Sequence, residues 1–162
     1  MVLEIFGALL DSYGYLGIFI INLIGSSTII FPLPSAGFVF LAGGFLNPLF
    51  VGLSAALGCA IGELTGYILG RGSRKVIEKK WKKQIRKTEN YFKKYGGFWV
   101  ILFFAATPLP DDIVGIIGGT LDYSLKKFFI ASFIGKLILN LILAFGGFYG
   151  VGWVLSVFAP SA

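Results

Sequence analysis

The chain has 162 residues, of which 56% are hydrophobic, with 23 glycines besides and a mean hydropathy of +0.84; a soluble domain is about 45–50% apolar even when Gly is counted, so a single integral membrane domain is expected. It has no His and one Cys, Cys59, which excludes an intrachain disulfide and removes the commonest general base and metal ligand, so no enzyme activity, cofactor or metal is expected. The net charge is +6, and eleven of the fourteen Lys and Arg lie between Arg71 and Lys94, a cluster that in a membrane protein marks a cytoplasmic loop rather than a nucleic-acid surface.

The start, MVLEIFGALLD, has no positive n-region and carries Glu4 and Asp11, so no cleavable signal peptide is expected. Residues 13–46 are apolar but broken at FPLPS, which leaves about a dozen residues on either side, where a straight span needs about 20. Residues 48–70 form an uninterrupted span of about 34 Å at 1.5 Å per residue. Between Ile77 and Tyr95 the apolar residues Ile77, Trp81, Ile85, Tyr91, Phe92 and Tyr95 gather on one face. Lys and Arg fill the remainder, so residues 72–95 read as an amphipathic helix on anionic inner-leaflet headgroups, or as a solvated linker helix with the same charge pattern. Residues 97–121 are apolar and broken at TPLPDD. Residues 125–158 are apolar with several late glycines, and form either one span with a tail helix over about 147–158 or two tilted helices.

The two breaks resemble each other. FPLPSAGFVFLAGGFL (31–46) aligns with TPLPDDIVGIIGGTLD (107–122), so that Pro32 and Pro34 fall on Pro108 and Pro110, and Gly43 falls on Gly119. Two prolines at i and i+2 end a helix, and the freed backbone groups cannot face lipid. Each break therefore reads as the tip of a re-entrant hairpin, followed by a spanning helix, the alternative being a pair of tilted, tightly turned spans. Repeat 1 covers about 13–70 and repeat 2 about 97–145. With the basic segment and Lys126 and Lys127 on the cytoplasmic side and one span between the hairpins, the repeats are inverted, a transporter pattern. The expected fold is all-α, with two proline-tipped hairpins in an inverted internal repeat.

Ionisable residues at membrane depth cost about 2.5–3.5 kcal/mol each on insertion scales and are functional suspects. Asp111 and Asp112 follow Pro110 at the second tip. Two adjacent carboxylates suit proton or Na+ coupling, although Asp is also a common helix cap. Glu63 lies inside the 48–70 span beside Gly58, Gly62 and Gly66, small residues that let another backbone approach. It either reaches the hairpin tip or is satisfied by Thr65 or Tyr67. Lys136 falls about half a membrane beyond Lys126 and either neutralises Asp111 or Asp112 or holds a phosphate. Asn140 is one turn further on the same face.

Taken together, PLPS, an AGG a few residues later and G-x-x-x-G-E-x-x-G-Y-x-x-G-R-G through Arg71 resemble the DedA superfamily, also called the VTT or SNARE-associated domain. The Tyr-Phe-Lys-Lys-Tyr-Gly lead, the second proline tip, Gly118-Gly119, Phe128 and Gly135 extend the likeness over nearly the whole chain. Two departures stand out. Acidic residues that the family often places around its first proline motif are replaced by Ser26, Ser27, Ser35 and Ala36. The arginines that often flank its second are replaced by Ala105 and Asp111. The resemblance implies translocation of lipids, polyprenyl phosphate carriers in prokaryotes and phospholipids in eukaryotic relatives.

The expected function is thus a lipid flippase or scramblase in the plasma membrane of a prokaryote, crossed several times. Asp111, Asp112 and Glu63 would bind the coupling ion, and Lys136, Asn140 and Arg71 the substrate. Membrane lipids are the expected partners, with room for a homo-oligomer and no role for nucleic acid. An ion-coupled exporter of small solutes and a non-transporting structural membrane protein are the rival readings. The topology is directly testable. In a Cys59→Ala background, single cysteines at positions 47 and 124 should label from opposite sides of the membrane. Labelling of both from one side would remove the inverted arrangement.

Overall fold

The computed structural model describes residues 2–27, 35–73, 82–107 and 112–158. Among them are seven helices and no strand: α1 (Val2–Ser27), α2 (Ser35–Phe45), α3 (Pro48–Gly72), α4 (Lys82–Tyr95), α5 (Gly97–Ala105), α6 (Asp112–Thr120) and α7 (Leu125–Phe158). All four tip prolines, Pro32, Pro34, Pro108 and Pro110, lie outside the described residues, as does Asp111.

Two helices are long and apolar enough to cross a membrane, Pro48–Gly72 and the Leu125–Val151 part of α7. Asn47 caps α3, its side-chain oxygen accepting from the Leu49 amide at 3.0 Å, with Pro48 in the first turn where no amide is needed. Residues 125–158 run as one helix of 34 residues; the alternative of a separate tail helix gives way to continuous backbone. The other apolar helices are short. α1 is broken at Gly14, whose φ of 46° is left-handed and open to Gly. The Gly14–Ser27 part is about 21 Å long, and α2, α5 and α6 are shorter still, against about 30 Å of hydrocarbon.

Small residues decide which helices meet. α1 lies on the Gly58 and Gly62 face of α3, so close that a Cβ at either glycine would overlap the Phe19 or the Leu23 carbonyl. α5 lies against α7 in the same way, at Gly135 and the Leu102 carbonyl. The remaining contacts cross over. α2 follows α1 in sequence but packs on α7, through Gly43 against the Ala144 backbone and Gly147 against the Phe40 backbone. α6 precedes α7 but packs on α3, through Gly119 against the Tyr67 carbonyl and Gly70 against Ile116. Thr120 strengthens that seam by donating to the Gly70 carbonyl at 3.2 Å. α3 and α7 meet directly where Gly52 admits Leu141.

Two apolar clusters result. One joins Ile18, Val39, Val51, Ala55 and Ala144. The other joins Tyr67, Ile101, Val114, Phe128 and Ala131. The outer surface is as apolar as the inside. Ile130, Ile134, Ile138 and Ile142 run along α7 every four residues and are exposed, as are Leu16, Ile20 and Ile24 on α1. In water such continuous apolar faces would drive association; against acyl chains they are at rest.

α4 is amphipathic, as its sequence requires; Ile77 and Trp81 of the expected apolar face lie outside the described residues. Ile85 is buried and Phe92 meets the Tyr123 ring edge-on at a centroid distance of 5.5 Å. Tyr91 and Tyr95 are instead exposed and stacked on each other. Lys93 pairs with Glu89 at 2.7 Å and holds that carboxyl below the usual carboxylate range. Gly96, with φ of 84°, turns the chain from α4 into α5.

These contacts predict opposite responses at two glycines of α2. Gly43→Ala should destabilise by about 1–3 kcal/mol, the usual cost of overpacking, because the Ala144 backbone cannot retreat. Nothing lies within 4 Å of a Cβ at Gly37, so Gly37→Ala should leave thermal stability in detergent unchanged or raised.

Candidate functional site

The seam between α3 and α7 carries a buried ion pair. Glu63, 5% exposed, lies between the two apolar clusters along α3, and Lys136 lies between them along α7. The Lys136 Nζ is 2.9 Å from Glu63 Oε1. Glycines make this approach feasible: Gly62 and Gly66 flank Glu63 with no side chain, and Gly135 precedes Lys136. Each charge sits on a long helix, roughly 16–22 Å from that helix's N-terminus, at a depth where each would be costly without the other.

The pairing gives Glu63 a basic partner on the other long helix. The hydroxyls near Glu63 are directed elsewhere. Thr65 donates to the Gly62 carbonyl at 2.7 Å and also lies within reach of the Ser27 carbonyl, and Tyr67 donates to the Tyr123 carbonyl. Lys136 was expected either to neutralise Asp111 or Asp112 or to hold a phosphate; among the described side chains it meets Glu63. Asp112 opens α6; its side chain, like Asp111, lies outside the described part.

α7 adds polar groups on the same stripe. Asn140, one turn beyond Lys136, is 4% exposed, and its Nδ2 donates to the Lys136 carbonyl at 2.8 Å. Ser132, one turn before, is buried, and its Oγ has no hydrogen-bond partner among the described residues. Ser132, Glu63, Ala105, Gly115 and Phe128 line one narrow crevice between α3, α5, α6 and α7. The sequence analysis passed over Ser132, although the spacing Ser132, Lys136, Asn140 was there to be read as a polar stripe at i, i+4, i+8. It also passed over Asn22, which is buried on α1, donates to the Ile18 carbonyl at 2.8 Å and accepts from the Cys59 thiol at 3.4 Å.

Arg71 stands apart. It lies eight residues beyond Glu63, about 12 Å along α3, and is exposed and paired with Asp122 at 3.0 Å. It joins the neck between α6 and α7, where burial pushes the Tyr123 phenol above its ordinary range. Among the described residues, no group of three His, Cys, Asp or Glu side chains is placed to hold a metal ion.

An all-helical body with an apolar exterior, two helices of spanning length and an ion pair buried between them is a membrane protein of the helical class. The VTT domain model matches residues 33–149, and the chain belongs to that family, the DedA proteins. It is 29% identical over 135 residues to an uncharacterized protein of Methanocaldococcus jannaschii, covering 80% of this chain and 81% of that one. It is 31% identical over 117 residues to transmembrane protein 41B of Xenopus tropicalis, covering 65% of this chain and 40% of the relative. Human transmembrane protein 41B is 30% identical over 115 residues, with 38% of its length covered. The chain thus spans about two fifths of the vertebrate relatives. No solved structure matches it.

Removing one member of a buried pair strands the other. Glu63→Gln and Lys136→Met should each cost about 3–5 kcal/mol, and the double substitution far less than their sum. A double-mutant cycle by thermal unfolding in detergent measures the coupling; strictly additive losses would mean that the two side chains do not interact.

Proposed function

We propose that this protein is a translocase moving phosphate-bearing lipid headgroups across the bilayer, and the Glu63–Lys136 pair carries the proposal. A phosphate crossing the hydrocarbon needs a cation, because an unpaired anion there is very unfavourable. Lys136 supplies one as a point charge. Glu63 keeps that cation compensated when no headgroup is present. In the exchange, phosphate replaces the carboxylate at Lys136 while Glu63 takes up a proton or another cation, which couples transport to that ion. Ser132, a buried hydroxyl on the same stripe, is placed to join the headgroup's hydrogen bonds. The lipid tails never leave the bilayer, which agrees with the exposed isoleucine face of α7.

An inverted repeat frames this exchange. The crossed packing, α2 on α7 and α6 on α3, supports it, because Gly43 and Gly119, aligned in sequence, make equivalent contacts on opposite long helices. Pairs of short helices, the second part of α1 with α2 and α5 with α6, suit two re-entrant hairpins whose proline tips would meet near the midplane. Asp111 and Asp112 at the second tip then belong to the ion-coupling step, while Arg71 receives headgroups at the membrane edge. α4 rests on the anionic cytoplasmic leaflet of a prokaryotic plasma membrane. The family likeness, which implies lipid translocation, points the same way.

Reconstitution into liposomes with a headgroup-accessibility assay decides the matter. Wild-type protein should equilibrate a labelled anionic lipid between leaflets. Lys136→Gln should slow this by about tenfold or more, the worth of a charge-assisted contact, and Lys136→Arg should keep part of it. Asp111→Asn with Asp112→Asn should abolish it while leaving inserted, folded protein. Vesicles containing wild-type protein that behave like protein-free ones would assign the pair a purely structural role.

A further inference from the structure

A second feature lies away from the ion pair. α4 and α5 diverge from their junction at Gly96 and leave a groove of about 510 Å³ between them, within the roughly 300–1,000 Å³ range of ligand pockets. Its two ends differ chemically. Lys87 and Thr88 stand at the α4 end, and Tyr91, Tyr95 and Trp99 line the middle. Phe103 and Phe104 of α5, with Val114 of α6, form the other end. A basic head, an aromatic waist and an apolar tail describe the shape of an amphiphile, and Tyr and Trp are the side chains that favour the level where headgroup meets chain.

We propose that this groove seats one anionic glycerophospholipid, with its phosphate at Lys87 and one acyl chain along Tyr95, Trp99, Phe103 and Phe104. Charge complementarity selects the occupant. Lys82, Lys83, Arg86, Lys87, Lys93 and Lys94 leave α4 strongly basic, and its acid, Glu89, is already paired with Lys93. The exposed acids whose side chains are described, Glu89 and Asp122, are both engaged in ion pairs. Two further observations agree. Trp99 is 65% exposed and Phe103 60% exposed, so the groove opens sideways to lipid. Ile85 and Phe92 anchor α4 to the body, leaving Lys87, Tyr91 and Tyr95 to face the groove. A lipid held there would brace α4 against α5, next to the hairpin that the translocation reading uses. The proposal rests on reading α4 as an interfacial helix and is independent of whether Glu63 and Lys136 transport anything.

The test uses the full chain in phosphatidylcholine vesicles containing a minor fraction of bromine-labelled lipid, which quenches tryptophan on contact. A protein retaining Trp99 alone (Trp81→Phe, Trp153→Phe) should select brominated phosphatidylglycerol over brominated phosphatidylcholine by about fivefold in relative binding constant, the effect of one interfacial Lys. A protein retaining Trp153 alone should not discriminate. Lys87→Gln should remove the preference at Trp99, whereas Lys82→Gln, on α4 but not lining the groove, should keep it. Excess inorganic phosphate should not displace the lipid; displacement would reduce the seat to an anion contact and overturn the proposal. So would equal quenching at Trp99 by the two lipids, or a preference that disappears on dilution of protein in lipid, which would assign the groove to a second copy. An environment-sensitive dye on Asn90→Cys, in a Cys59→Ala background, separates the two failures. A dye that stays in water would sink the interfacial reading of α4, whereas a dye at the surface without selection at Trp99 would sink only the lipid seat.

Discussion

Helices gain little in a bilayer by covering one another's leucines, since lipid tails are as apolar as leucine. What holds α3 and α7 to their neighbours is therefore close approach of backbones, and glycine alone allows it. Gly58, Gly62 and Gly70 on α3 and Gly135 and Gly147 on α7 each receive another helix at a distance where a Cβ would collide with a backbone atom. Every other feature follows from those contacts. They place α1 and α6 on α3, and α2 and α5 on α7. They leave the bulky side chains to the outside, and they bring the two long helices near enough for side chains of opposite charge to meet.

That meeting is expensive in isolation and stable in combination. A carboxylate or an ammonium withdrawn from water loses several kcal/mol of hydration, which the partner restores only when geometry is close. Glu63 and Lys136 satisfy this at 2.9 Å, with the Asn140 amide tied to the Lys136 carbonyl behind them. Tight packing of Tyr67, Ile101, Val114 and Phe128 on one side and of Val39, Val51 and Ala144 on the other keeps the seam apolar apart from the polar stripe of α7. A charged pair in such surroundings is sensitive to any third charge.

α4 belongs to a different environment from the bundle. Its basic side chains stand in solvent, its attachment to the body rests on Ile85 and Phe92, and its aromatic pair Tyr91 and Tyr95 is turned outward. The Tyr67 hydroxyl on the Tyr123 carbonyl and the Arg71–Asp122 pair fix the neighbouring turn between α6 and α7, so the contrast between a fastened turn and a lightly held helix lies within one end of the molecule.

The membrane class, a span over 48–70, the basic segment and the presence of Glu63, Lys136 and Asn140 inside apolar runs were all legible in the sequence, because each depends on composition or on spacing within one helix. Hydropathy registers lipid contact residue by residue, and a charge inside an apolar run is visible wherever it pairs. Which partner it takes is not visible. Glu63 and Lys136 are 73 positions apart in sequence, and no periodicity states that α3 and α7 will cross at those two turns. For the same reason the aligned glycines Gly43 and Gly119 could be matched by eye, while their contacts on the opposite long helix emerged only when backbone distances existed. Helical spacing places Tyr91 and Tyr95 beside Phe92, and only packing against Tyr123 determines how far round the helix burial against the protein extends. Local chemistry set what each segment could tolerate; close packing of backbones, a property of pairs of segments, decided which of those tolerances were used.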